Sequence, residues 1–252
     1  MHLADLLFNE GFGTRRVCAG LIERNLIHIY NENMAVMPMN NAQAAIEYVA
    51  SLDSVEGLHL QVQGMDWHCH TQAYVLLHKP AGYECSHKPG AWPSVYSLLP
   101  SPLRMRPAKT ALQGVQAVGR LDQDTTGMLL LSDDGQFIHR MASPKHHVPK
   151  VYQVTCKHAL DDRQIAKLLG GVVLDDSPKP VRAAACVQTG EATLDLTLTE
   201  GKYHQVKRML AAVGNRVEAL HRARIGSLTL GDLQPGQWRW LTSAEVAGLR
   251  TP

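Results

Sequence analysis

Asp122 is the residue of this chain best placed to do chemistry. It stands in a polar loop, Gly119, Arg120, Leu121, Asp122, Gln123, Asp124, Thr125, Thr126, that ends at Gly127. The chain then runs straight into the apolar stretch Met128–Leu131 and on through Ser132, Asp133 and Asp134 to Gly135. Such a loop sets a carboxylate at a sheet edge against hydrophobic surroundings. Partial desolvation there would raise its pKa, and a neighbouring cation would lower it. Asp124, Thr125 and Thr126 can bond the loop backbone and fix its shape. Two readings stand side by side: Asp122 caps a turn, or it is a reactive group. A second pair, His68 and His70, would put both imidazoles on one face of an extended segment and could hold a metal. No further ligand stands at metal spacing nearby, so a solvated linker is the simpler reading there and no metal is expected.

The elements that must position Asp122 follow from periodicity and punctuation. Tyr74–Lys79 reads as a buried strand stopped by Pro80. Further strands are expected at 127–132, 151–156, 181–188, 192–199 and 223–230, and helices at 134–142, 160–169 and 204–213. Short turns join many of the strands, which favours an α+β fold with a mixed, largely antiparallel sheet flanked by helices. Residues 86–114, rich in Pro and Ser and carrying Arg104, Arg106 and Lys109, form a long loop of the kind that is often functional. Before this unit comes a smaller one. It has a helix from Leu3, a Gly11–Gly13 break, Thr14 as N-cap of a second helix and a strand at Leu26–Tyr30 ended by Asn31–Asn33. A helix at 42–52 and a strand at 58–63 complete it. The expected division is 1–66, a linker 67–73, and 74–252.

Composition narrows the function classes. Hydrophobic residues make up 45% and charged residues 19%, ordinary globular values. No apolar run is long enough to span a membrane, and the N-terminus lacks the features of a secretory signal. Five cysteines, odd in number, widely spaced and without a C-x-x-C pair, argue against a disulfide scaffold or zinc finger and for a reducing cytoplasm. Neither a Walker A nor a G-x-G-x-x-G pattern occurs, so nucleotide-driven and dinucleotide chemistry have no support. The formal charge is +2 overall but uneven. Residues 1–70 carry three Arg and Lys against eight acids, and the remainder carries 22 against 15. The basic part is the one that would attract a polyanion.

The run Gly119, Arg120, Leu121, Asp122 to Thr125 and Gly127, followed by an apolar strand and Asp134-Gly135, resembles the signature of the pseudouridine synthases, and of their RsuA branch in particular. The likeness continues through Gln136, His139 and Arg140. It extends through Ser143 to His147, and through Lys150 to Val154. Later blocks at Glu200–Leu210, Leu220–Gly226 and Pro235–Leu241 are similar too. Residues 1–66 resemble the S4 RNA-binding module loosely, with Gly13 to Arg16 standing where that module carries a Ser-Arg pair, and with a net acidic charge.

The resemblance implies an enzyme that breaks the C–N glycosidic bond of a uridine in RNA, rotates the base and forms a C–C bond. It makes Asp122 the essential carboxylate, Lys207 the basic residue that pairs with it, and Tyr152 the aromatic residue against the extruded base. Arg120 would support the flipped-out nucleotide. Phosphate contacts would come from Arg140, Lys145, His146, His147, Lys150, Lys202, Arg208, Arg222 and Arg224. The partner is ribosomal RNA or a ribosomal assembly intermediate, the chain a monomer, and no cofactor is implied. The branch points to the uridine numbered 516 in 16S RNA. The alternatives are a 23S site or, from a different class, a non-catalytic RNA-binding assembly factor.

Overall fold

The computed structural model describes residues 1–30, 42–108, 113–175 and 177–250. The expected turn at Asn31–Asn33 and Lys109 lie outside the described residues. The chain forms two units. One comprises Met1–Ala73 with Leu99–Gln116, and the other Tyr74–Leu98 with the chain from Ala117 onward.

In the first unit, helices Leu3–Asn9 and Arg15–Glu23 bury Leu3, Leu6, Leu7, Cys18, Leu21 and Ile22. Thr14 caps the second helix by accepting from the Val17 amide at 3.3 Å. Helix Ala42–Ser51 follows. An antiparallel sheet runs in the order Ile27–Ile29, His59–Val62, Met65–His68. That last strand corrects the expectation of a solvated linker. Trp67 is 3% exposed and Cys69 fully buried, because the Glu10 carboxylate accepts from Trp67 Nε1 and from the His70 amide, each at 2.9 Å. His68 stacks on His59 and His70 bonds Glu56. Among the described residues no cluster of three or more His, Cys, Asp or Glu could hold a metal ion. Part of the expected long loop belongs here as well. It contains the helix Ser101–Met105, and Arg106 is buried with its guanidinium 2.7 Å from Glu10.

In the second unit the main sheet path is Ala185–Gly190, Thr193–Leu198, Lys150–Cys156, Val217–Ile225, Thr126–Ser132, Tyr74–Lys79, Trp238–Trp240. Every neighbouring pair along it is antiparallel except Val217–Ile225 with Thr126–Ser132, which is parallel. The fold is thus α+β with a mixed sheet, as the sequence suggests. One core gathers around Val154, Leu168, Leu194, Leu196, Met209 and Leu210, under helices Asp162–Gly170 and Gln205–Ala212. The other gathers around Leu76, Met128, Leu130, Phe137 and Val246, under Gly135–Ala142 and Ser243–Arg250.

Two strand expectations need correction. The segment 223–230 is the end of a strand that begins at Val217, then a turn at Gly226 in the left-handed region, then Leu228–Thr229. The segment 181–188 is divided between Ser177–Val181 and Ala185–Gly190. Among the described residues no helix is long and apolar enough to cross a membrane.

Candidate active site

The loop that carries Asp122 is anchored from below. Lys79, at the end of its strand, is fully buried. Its ammonium donates to the carbonyls of Pro80, Gln123 and Thr125 at 3.0, 3.2 and 2.8 Å. Burial, the largest influence on it, draws its pKa below the usual lysine value. The Gly82 amide also bonds the Gln123 carbonyl at 2.8 Å. The Thr125 amide closes the turn on the Asp122 carbonyl at 3.1 Å. The backbone of Asp122 therefore makes the turn, and its carboxylate is left for other partners.

Gly127 fixes how the loop enters the sheet. Its φ is +106°, and a Cβ there would lie 2.4 Å from the Arg222 carbonyl oxygen. Only glycine allows the parallel pairing of Gly127 with Arg222 at that distance.

The partners of the Asp122 carboxylate come from the N-cap and first turn of helix Gln205–Ala212. Lys207 Nζ lies 3.0 Å from Asp122 Oδ2 and bonds both Asp124 oxygens, at 2.7 and 2.9 Å. His204 Nε2 lies 3.1 Å from Asp122 Oδ1. Burial works against the Asp124 carboxylate, but the bonds and charge of Lys207 outweigh it and hold its pKa below the usual range. Burial likewise works against the Lys207 ammonium, and the two aspartates outweigh it to hold that pKa high. The 85-residue gap between Asp122 and Lys207 is closed by the sheet, as the sequence reading requires.

These groups line a cleft of about 800 Å³ within the second unit. Tyr152, half-buried on its strand, is on the wall of the same cleft. So are Arg120, Lys150, Lys202 and Arg222. Burial, then the charge of Arg222, brings Lys150 down to a pKa of about 8. Arg222 is 3% exposed and donates through Nε to the Met128 carbonyl at 2.8 Å, while one of its terminal nitrogens is buried without a hydrogen-bond partner among the described residues.

The remaining candidates are not among the residues lining this cleft. Arg140 donates to the Arg250 carbonyl. Lys145 and His146 are exposed on a single turn of 3₁₀-helix. His147 faces a separate depression beside Pro180 and Arg182. Arg208 donates to the Tyr203 carbonyl at 3.1 Å, and Arg224 is exposed near the end of its strand. Three residues of the site were not anticipated: Lys79, Tyr203 and His204. The only sequence signal for Lys79 is its place directly before Pro80 at the end of an apolar strand. For Tyr203 and His204 the signal is their place within the Glu200–Leu210 block.

Residues 73–212 match the family described as RNA pseudouridylate synthase. Over 180 residues the chain is 44% identical to ribosomal small subunit pseudouridine synthase A of Yersinia pestis, covering 71% of this chain and 73% of that one. It is 42% identical over 181 residues to the Escherichia coli (strain K12) protein of the same name, with coverage of 71% and 75%. A solved structure described as the crystal structure of pseudouridylate synthase aligns with 99% of both chains at 31% identity and a TM-score of 0.64. The match runs through the Asp122 loop, the Tyr152 strand and the Lys207 helix, and the chain belongs to the RNA pseudouridylate synthase family.

Proposed function

We propose that this protein isomerises one uridine of small-subunit ribosomal RNA to pseudouridine, the uridine numbered 516 in 16S RNA, with Asp122 as the essential carboxylate. The observation that carries the reading is the Asp122–Lys207 pair at 3.0 Å in a cleft of about 800 Å³ walled by Tyr152 and four further cations. The names of the relatives from Yersinia pestis and Escherichia coli support the small subunit over a 23S site.

A carboxylate must be ionised to act as a nucleophile, and the Lys207 ammonium lies 3.0 Å from this one. In the isomerisation the N1–C1′ bond breaks and the C5–C1′ bond forms. The proton lost from C5 is balanced by one gained at N1, so no oxidant or nucleotide is consumed. The target base must leave its stack, at a cost of a few kcal/mol. Arg120 supports the everted nucleotide, Tyr152 lies against its base, and Lys150, Lys202 and Arg222 meet the phosphates. The first unit, Met1–Ala73 with Leu99–Gln116, serves as an S4-like module, in keeping with its helix–helix–strand order, and the second as the synthase domain. The enzyme acts as a monomer in the cytoplasm, on the RNA or an assembly intermediate.

Asp122→Asn should abolish pseudouridine formation while RNA binding persists. Mapping both ribosomal RNAs from a strain lacking the protein should show loss at the 16S position alone. Loss at a 23S position instead would move the target. Failure of the wild-type protein to modify assembly-intermediate RNA would favour a binding factor.

A further inference from the structure

We propose that His204 is a positioning residue for Asp122, holding the carboxylate oxygen that Lys207 leaves free; this rests on the reading of Asp122 as the reactive group. Lys207 alone cannot set the plane of that carboxylate. Its contact is with Oδ2, and it is itself held by both oxygens of Asp124. With His204 Nε2 at 3.1 Å from Oδ1, each oxygen has its own partner, and rotation about the Cβ–Cγ bond would break one contact or the other. Each oxygen keeps a further lone pair with which to meet the nucleotide.

Three independent features of the segment converge on that contact. His204 occupies the left-handed region, φ 47° and ψ 34°, which a side chain with a Cβ rarely adopts and which is retained where function requires it. It stands at the N-cap of helix Gln205–Ala212, yet its side chain makes no capping bond. A helix would be served there by Ser, Thr, Asp or Asn, so helix capping does not account for the imidazole. Tyr203 then stacks on the imidazole at 3.8 Å between ring centroids and 20° between planes, while remaining 68% exposed itself. That ring keeps water from one face of the imidazole.

The segment does not depend on His204 for its shape. Gln205, 4% exposed, accepts from the Lys202 amide at 2.8 Å and donates to Glu200 at 2.9 Å. Substitution at 204 therefore leaves the loop anchored.

The test uses His204→Gly and His204→Gln in the full chain. Glycine suits the left-handed backbone, so His204→Gly should melt at or above the wild-type temperature. Its single-turnover rate on ribosomal RNA should fall on the order of 10- to 100-fold, as for a misplaced reacting group, with little change in the half-saturating RNA concentration. His204→Gln, which returns an N–H near the position of Nε2, should recover most of the rate. A wild-type rate in His204→Gly, or a glutamine variant as slow as the glycine one, overturns the proposal. A thermal double-mutant cycle needs no activity. In an Asp122→Ala background, where no contact remains to lose, His204→Gly should raise the melting temperature more than it does in the wild type. Equal changes overturn the proposal. If the wild type forms no pseudouridine, the functional reading fails and the cycle still decides the role of His204.

Discussion

Lys150 and Tyr152 are two positions apart on one strand and face the same way. Arg222 is the cross-strand partner of Tyr152. Burial and the neighbouring guanidinium leave Lys150 with a pKa of about 8, so it is cationic below that pH and neutral above it. If it meets a phosphate, the KM for RNA should rise between about pH 7 and about pH 9 in the wild type and stay flat in Lys150→Arg, which keeps its charge. A flat wild-type profile would remove Lys150 from the RNA surface. Stability has the opposite sense. From about 8 towards 10.5 the unfolded chain holds the proton that the folded one has released, so thermal stability should rise with pH in that window. Asp122, Tyr152 and Lys207 were legible in the sequence because each lies in a motif of its own. Lys79 was not, because a lysine before a proline reads as an exposed strand end. Nothing local in the sequence announces that loop carbonyls will enclose it.

Elements were legible where their apolar pattern was long and bounded. Thr126–Ser132, Gly135–Ala142 and Gln205–Ala212 lie within a residue or two of expectation. Val217–Ile225 was misplaced because Glu218, His221, Arg222 and Arg224 interrupt its apolar pattern, Arg222 being buried all the same. Met65–His68 was missed because it is only four residues long and buries one side chain, Trp67. That strand and the segment around Arg106 share the Glu10 carboxylate, and Arg106 also donates to the His70 carbonyl at 2.6 Å. Arg106→Ala would leave Glu10 buried without its cation. It should lower the stability of the first unit by about 3–5 kcal/mol, read by urea denaturation followed through tryptophan fluorescence. A loss below 1 kcal/mol would mean that water replaces the guanidinium.

At the scale of the whole molecule, the sequence showed where the charge resides but not how it is deployed. Residues 1–70 are acidic overall, and the basic surplus lies beyond them. The cleft wall carries Arg120, Lys150, Lys202 and Arg222 besides the paired Lys207. Three to four phosphate contacts would give a slope of about −2 to −3 in log affinity against log salt for single-stranded RNA. Lys202→Ala should reduce that slope by about 0.7, and Arg16→Ala should leave it unchanged, both read by fluorescence anisotropy across a salt series. An equal effect of the two would place the main RNA contact on the acidic unit. The parallel pairing of Thr126–Ser132 with Val217–Ile225, on which the shape of the cleft depends, joins residues some 95 positions apart, beyond the reach of any local pattern.

Lys79 has a consequence for how the reactive turn can diversify. Every bond it makes to that turn is to main-chain oxygen, so these anchors are indifferent to which side chain Gln123 carries. Substitutions at that position can retune the mouth of the cleft while the turn stays in place. The lysine has no such latitude, since a shorter or uncharged replacement would take a donor from the Pro80 and Thr125 carbonyls at once. One immovable amine thus leaves a neighbouring position free to vary.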